Sequence, residues 1–334
     1  MAPNATFDGT TIGGLSAISY DAGRDSYYVI SDDRSSKNPA RFYTVRLPLS
    51  DSGVDEVSVV ATRPLLDDDG WLFGPQSLEG ATPVVPPDPE GIAFDSGRQR
   101  LYWSSEGERR TATPAGPVLA DPWIRIAGLD GSYLGRFSMP PGLAMSAQRT
   151  GPRRNTTLEG LTLAPGGRLL FAGMEGPGYD DGDLPDREHG ALTRITAFDV
   201  DATRPVAQYA YPLEAAAAPA QTNGLTDLVA LSDTTFLVVE RAFSTSPTVR
   251  VFRAETTGAT DVLTVPSLTA AAVTPMTKTL LADLSTTPGL SPLDNIEGIT
   301  LGPRLPDGRR TVVLVSDDNF TPGEVTQFLV FAMS

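Results

Sequence analysis

A short motif returns five times along this chain of 334 residues: Gly13-Gly14-Leu15, Glu90-Gly91-Ile92, Glu159-Gly160-Leu161, Gly224-Leu225-Thr226-Asp227 and Glu297-Gly298-Ile299. Behind each copy stands a turn, such as Asp21-Ala22-Gly23-Arg24 or Ala164-Pro165-Gly166-Gly167, and then an apolar run that ends in an acid, at 27–33, 101–106, 169–175, 236–240 and 312–318. The repeating unit is therefore a strand, a turn and a second strand whose end carries a carboxylate.

With the glycines Gly14, Gly91, Gly160, Gly224 and Gly298 as a ruler, the copies lie 77, 69, 64 and 74 residues apart, and the two termini together supply 50 more. Such periods are too long for most solenoids and fit propeller blades with inserted loops. Further strand-like stretches at 123–126, 133–137, 192–198 and 207–211 bring each unit to about four strands. The expectation is an all-β propeller of four-stranded blades, one domain over 1–334. Five copies favour five blades, although 54–87 or 262–293 has room for a divergent sixth. The last unit lacks an outer strand while 5–12 supplies a spare apolar stretch, so pairing of the N- and C-terminal strands is expected to close the ring and hide a sheet edge.

Composition agrees with this. Hydrophobic residues make up 40% of the chain, and 32 Gly with 29 Pro supply the turns that many short strands need. A net charge of −15 argues against a nucleic-acid partner, because a phosphate backbone calls for a basic surface, and it favours cations. The chain has no cysteine, so thiolate chemistry is excluded. It has no apolar run long enough to span a membrane and no leader-like N-terminus. A monomer acting on a small molecule is expected.

The innermost strands of a propeller line its channel, so an acid at one position of the repeat forms a ring about the axis. Glu90, Glu159 and Glu297, with Asp227, make one such set; Asp32, Asp33, Glu106, Glu175, Glu240, Asp317 and Asp318 make a second at the following strand ends. Crowded carboxylates raise one another's pKa until a cation neutralises them, and a hard ion such as Ca²⁺ takes oxygen ligands from Glu, Asp and Asn. Asn155 and Asn295 stand just before Glu159 and Glu297. The expected metal ligands are Glu90, Glu159, Asp227, Glu297, Asn155 and Asn295. The alternative is that the acids cap backbone N–H groups and the asparagines only make turns.

Other candidates carry less. The acidic run 180–186 has glycine spacing like the start of a calcium loop, yet lacks flanking helices and a terminal Glu, and reads as a surface loop, while 67–70 reads as a turn. His189 is the single histidine, and no Gly-x-Ser-x-Gly elbow accompanies it, so hydrolysis would rest on a metal-bound water and carboxylate bases. Basic residues are nearly all arginine: Arg34 and Arg241 follow acids, and Arg149, Arg153 and Arg154 precede the third motif, as ion-pair partners or as an anion clamp.

Taken together, Gly13-Gly14-Leu15-Ser16, Ser31-Asp32-Asp33-Arg34, Asp88-Pro89-Glu90-Gly91-Ile92, Ser105-Glu106-Gly107, Asn155 with Leu158-Glu159-Gly160-Leu161, Glu240-Arg241, Asn295-Ile296-Glu297-Gly298 and Ser316-Asp317-Asp318-Asn319-Phe320 resemble the phytase-like family with esterase-like activity of phytase, mostly secreted bacterial β-propellers. The resemblance implies a secreted or periplasmic propeller. It also implies chemistry like that of propellers that hydrolyse lactones and organophosphates around a channel calcium. The reading from the sequence is a calcium-dependent hydrolase of phosphate or carboxylic esters. In it Glu106, Glu175, Glu240 and Asp317 stand in the next shell or act as base, and Arg34 or Arg241 holds the anion. The competing reading is a non-catalytic propeller that binds a ligand, glycan or protein.

Overall fold

A computed structural model of the protein describes residues 5–50, 53–78, 82–244, 247–270, 272–290 and 292–333. Five antiparallel sheets follow one another along the chain, each a meander whose strands pair in sequence order from the axis outwards. Blade 1 is Leu15–Asp21, Ser26–Ser31, Arg41–Arg46 and Ser58–Pro64; blade 2 is Pro89–Asp95, Arg100–Ser105, Trp123–Gly128 and Tyr133–Arg136. Blade 3 is Leu158–Leu163, Leu169–Met174, Ala191–Asp199 and Arg204–Leu213; blade 4 is Gly224–Ala230, Thr235–Ala242, Thr248–Glu255 and Thr277–Asp283. Blade 5 has Asn295–Arg304, Arg310–Asp317 and Phe328–Met333. The protein is thus an all-β, five-bladed propeller. Among their described residues, the stretches with room for a sixth blade hold the outer strands of blades 1 and 4 and the segments that connect them. No helix among the described residues is long and apolar enough to cross a membrane.

The first two strands of each blade are buried on both faces, as in the second strand of blade 1, Ser-Tyr-Tyr-Val-Ile-Ser, because blades pack face to face around the ring. Aromatic pairs seal the joints. Tyr28 meets Phe94 between blades 1 and 2, Phe137 meets Phe198 between blades 2 and 3, and Phe171 meets Phe236 between blades 3 and 4, with centroids 5.1, 5.6 and 4.7 Å apart. At the lower end the Asp-x-Gly-Arg turns of blades 1 and 2 are built alike. Asp21 accepts from the Gly23 amide and pairs with Arg24, and Asp95 accepts from the Arg98 amide and pairs with the Arg98 guanidinium. Those acids serve the turns.

Among the described residues, 5–12 takes no place in the last sheet, so the expected pairing of N- and C-terminal strands is not seen there. Among the described residues the last sheet has three strands, and Thr6–Phe7 pairs with Thr10–Thr11 in a hairpin of its own. Residues 1–4, which belong to the same N-terminal segment, lie outside the described residues. The inner strands of blades 1 and 5 pack directly together, and Ala5 and Phe7 lie against the apolar cluster that also takes Phe328 and Val330. Asp318 accepts a hydrogen bond of 2.9 Å from the Gly14 amide. A Cβ on Gly13 would sit 2.7 Å from an oxygen of Asp318 and 2.8 Å from the Phe320 ring, so the glycine pair serves the seam.

Strand registers realign the repeat. Each inner strand carries an irregularity just before the residues Ala17, Gly91, Gly160, Asp227 and Gly298, which are therefore equivalent. The small residues are needed where neighbouring inner strands touch: a Cβ on Gly160 would lie 3.0 Å from the Asp227 Cα, and one on Gly298 would lie 3.0 Å from the Ala17 Cα. Asp227 is the exception, and it uses its carboxylate as a staple. Its Oδ1 accepts from the amides of Leu161 in blade 3 and Leu228, at 3.2 and 2.8 Å, and its Oδ2 from Ile299 of blade 5 at 2.8 Å. Asp227→Ala is expected to leave three buried amides without acceptors and to cost at least about 3 kcal/mol, at about 1–3 kcal/mol for each orphaned group. Urea unfolding reads this as a lower midpoint with an unchanged slope; a midpoint within error of wild type would refute the staple.

Candidate functional site

The same registers define two tiers of side chains at the channel mouth, where inner strands begin and second strands end. The residue at each inner-strand irregularity is Ser16, Glu90, Glu159, Thr226 and Glu297 in blades 1 to 5. A bulge there re-aims the side chain without ending the ladder. The residue at the end of, or just after, each second strand is Asp32, Glu106, Glu175, Arg241 and Asp317. Blade 4 therefore breaks both patterns, placing a threonine where three blades have Glu and a guanidinium where the other four have a carboxylate.

Arg241 divides the site in two. On its side, the guanidinium donates to Glu297 Oε1 at 2.9 Å, to Glu175 Oε1 at 3.3 Å and to the Asn295 amide oxygen, while Asn295 donates to Glu297 at 2.9 Å. Asp317 belongs to the same half and accepts from the Asn319 amide at 2.7 Å. Across the mouth, oxygens of Glu90, Glu106 and Glu159 all lie within 4.8 Å of one another, and so do those of Asp32, Asp88 and Glu90. Arg34 pairs with Asp88 of this half and donates at 2.6 Å to the Asn155 side chain at the rim, and the charge of Arg241 also reaches Glu159. The amide of Thr157 donates to Glu106 Oε1, whereas Glu106 Oε2 and Asp32 Oδ1 are buried without a hydrogen-bond partner.

Burial and mutual repulsion push these acids up. Glu106 rises to about 8, through burial first and then the charges of Asp88 and Glu175. Burial lifts Glu175 to about 7 against the pull of Arg241. Asp32 and Glu90 rise through burial and their neighbours Asp88 and Asp32, and Glu159 through burial and Glu106. Carboxylates gathered in this way make the mouth the candidate functional site.

The residues read from the sequence separate accordingly. Glu90, Glu159 and Glu106 come together. Glu297 and Asn295 are brought to Arg241, and Asn155 is exposed and holds Arg34. Asp227 is placed on three backbone amides. Glu240 and Arg241 are neighbours on one strand and point to opposite faces. Glu240 turns between the blades, where it accepts from Tyr211, the Glu214 amide, Asn223 and Lys278, so it stands apart from the mouth. Asp33 and Asp318 also leave the cluster, for Arg41 and the ring seam. Asp88, two residues before Glu90, joins the cluster although the repeat does not include it; its signal is the local Asp-Pro-Glu-Gly. His189 is exposed and faces Asp186 at 3.2 Å. In the loop 180–186, Asp181 is buried and forms two hydrogen bonds of 2.6 Å with Arg194.

The donor set of the Arg34 half fits a hard cation. It gathers carboxylate oxygens of Asp32, Asp88, Glu90, Glu106 and Glu159, two of them without a hydrogen-bond partner, while Arg34 is paired with Asp88 and Arg241 acts on Glu159.

Comparison with known proteins gives a family match: the model described as Phytase-like, esterase-like activity of phytase, matches residues 10–320. No curated protein matches the chain by sequence. Among solved structures, an α-L-arabinanase mutant of Cellvibrio cellulosa is 10% identical with a TM-score of 0.41, covering 97% of this chain and 92% of that one. The periplasmic gluconolactonase of Pseudomonas aeruginosa is 10% identical with a TM-score of 0.39, covering 97% and 90%. A nidogen/laminin complex gives 13% and 0.36, covering 91% and 78%.

Raised carboxyl pKa values fix a pH dependence. Glu106 at about 8 and Glu175 at about 7 bind more protons folded than unfolded, where Glu titrates near about 4.3. Their stabilising contribution is therefore complete below that value and is lost as pH rises towards 7 and 8. Metal-depleted protein should lose stability from pH 5 to 8, with a slope of up to about 1.4 kcal/mol per pH unit for each group. Asp95 and Glu108, held low by hydrogen bonds from Tyr102 and Arg154 among others, titrate below that window. Glu106→Gln should flatten the curve; a stability that is level or rising across this range in the metal-depleted protein would contradict the clustering.

Proposed function

This chain belongs to the phytase-like family, described by esterase-like activity of phytase, and from that membership and the carboxylate geometry we propose that it is a calcium-dependent hydrolase of phosphate or carboxylic esters acting at the channel mouth. The observation that carries the reading is the pair of carboxylate triads sharing Glu90, with buried oxygens of Asp32 and Glu106 left without partners. Asp32, Asp88, Glu90, Glu106 and Glu159 would hold the ion. Bound there, Ca²⁺ would supply positive charge that offsets charge developing on an ester oxygen and makes water a stronger acid.

The remaining work falls to the chain's own groups. Glu175 gives Oε1 to Arg241, which leaves Oε2 to take a proton from water attacking the ester, and its pKa of about 7 suits that exchange near neutral pH. Arg241 fixes Glu175 and Glu297 in place, and Arg34 at the rim presents a guanidinium to an anionic substrate. Asp317 adds charge behind Arg241. A secreted or periplasmic setting suits this reading, since extracellular modules hold Ca²⁺ with dissociation constants of about 10⁻⁴–10⁻³ M.

The test is turnover of nitrophenyl esters, phosphomonoesters and lactones. Activity should vanish on chelation and return with Ca²⁺, and Glu175→Gln should lower kcat by about 10²–10⁴-fold with a smaller change in KM. If no substrate of the panel shows turnover that chelation abolishes, the enzyme reading fails. Stability offers a second measurement, because an ion that binds only the folded ring adds its binding free energy to folding. Free Ca²⁺ at 100 times its dissociation constant should add about 2.7 kcal/mol, and Glu159→Gln should blunt the gain. A melting curve indifferent to Ca²⁺ in metal-depleted protein would remove the ion from the mechanism.

A further inference from the structure

Beside the acidic mouth lies a patch of opposite sign. Tyr179, in the turn after the second strand of blade 3, is ringed by Arg153, Arg109 and Arg149, whose guanidinium carbons stand 4.2, 4.7 and 5.4 Å from its ring centroid. None of the three has a carboxylate partner among the described residues. Arg109 donates to the carbonyls of Ser146 and Gln148 and to the Tyr179 hydroxyl, and Arg153 donates to the carbonyls of Pro177 and Gly182. Arg149 is exposed and stacks on Tyr179, and among the described residues it makes no hydrogen bond or ion pair. Arg110 and Arg154 extend the patch and share a single acid, Glu108, at 3.0 and 2.5 Å. On the Tyr179 turn itself, Asp180 accepts from the Gly151 amide and Asp181 pairs with Arg194.

We infer that this arginine–tyrosine patch is an anion-docking site for a phosphate-bearing small molecule, set beside the channel mouth. Loop-tying explains Arg109 and Arg153, but it does not explain Arg149, which ties nothing, nor why positive charge exceeds negative here on a chain of net charge −15. Like charges gathered about one ring repel one another and are tolerated best where an anion is to be bound. A single carboxylate needs one guanidinium, whereas a phosphate or polyphosphate group can use several, each through charge-assisted hydrogen bonds. The patch is also joined to the acids. Asn155, next to Arg154, accepts from Arg34, which pairs with Asp88 of the cluster. A substrate docked by its phosphate on the arginines would be presented to the mouth. In that respect the inference deepens the hydrolase reading and selects anionic esters within it, but the docking itself can be measured without turnover.

The experiment is calorimetric titration of tripolyphosphate into full-length protein freed of metal on a chelating resin, at low ionic strength, with citrate as a carboxylate comparator. Wild type should bind tripolyphosphate, more tightly than citrate, and added salt should weaken binding because the patch is partly exposed. Arg149→Gln touches no structural hydrogen bond and should weaken binding about tenfold, as expected for loss of one charge-assisted contact. Arg168→Gln, an exposed arginine paired with Asp233, should leave binding unchanged. Glu106→Gln should bind as wild type does, because the docking does not need the acidic cluster; wild-type protein that binds tripolyphosphate yet, reloaded with Ca²⁺, turns over no ester of the panel would sink the enzyme reading and spare this one. Folded wild type that fails to bind, Arg149→Gln that binds undiminished, or binding abolished by Glu106→Gln would each overturn the inference.

Discussion

Repulsion among carboxylates at one end of the axis is the constraint to which the rest of the site answers. Two ionised groups about 4 Å apart repel by about 4 kcal/mol at an effective dielectric constant of about 20, equivalent to about three pKa units. Glu106 moves to about 8 through burial first, and the charges of Asp88 and Glu175 add such repulsion to it. Three kinds of charge can relieve it: a proton, a guanidinium or a metal ion. The protein uses the second outright on one side of the mouth, where Arg241 satisfies Glu175 and Glu297 together. On the other side Arg34 answers chiefly Asp88, and Glu90, Glu106 and Glu159 are left to share protons or a cation.

This asymmetry comes from one strand pair. Blade 4 has Thr226 at the inner position and Arg241 at the outer one, with Asp227 sent to the axis as a backbone staple. Had blade 4 followed its neighbours, the mouth would carry two more carboxylates and, among the described residues, only the Arg34 guanidinium to answer them. The exchange lowers the local charge and joins the inner strands of blades 3, 4 and 5. The most irregular blade thereby supports the regular ones.

The ring was legible in the sequence because it rests on a repeat, and repeats survive loss of detail. Register was harder. Gly224 and Gly13-Gly14 look like copies of the motif glycine, yet the strand pairings make Asp227 and Ala17 its equivalents, and Gly13-Gly14 is spent on the seam with Asp318 and Phe320. Reading Asp227 as a metal ligand followed from that slip, since an acid near the axis can face either an ion or amides, and only the positions of Leu161, Leu228 and Ile299 decide. Glu240 was assigned by its place at the end of an apolar run, but strand alternation sends it and Arg241 to opposite faces. Asp88 stood outside the repeat, and although Arg149, Arg153 and Arg154 stood together before the third motif, the meeting of Arg149 and Arg153 with Arg109 on Tyr179 was not visible, because it joins separate segments of blades 2 and 3.

The two charged regions solve opposite problems with the same residue. At the mouth, guanidinium relieves an excess of carboxylate; around Tyr179 it is itself in excess, and a ring face with backbone carbonyls holds it in place. Neutral oxygens and π-faces orient arginine without cancelling its charge, unlike a carboxylate, which does both. An acidic protein that spent its acids on those arginines would gain little stability at a half-exposed surface and would erase a local positive field. Keeping the acids inward and the arginines outward places a field of each sign at the two edges of one opening. That is the arrangement the proposed function requires, since bare carboxylates at the mouth would repel an anion that a positive field beside them can draw in.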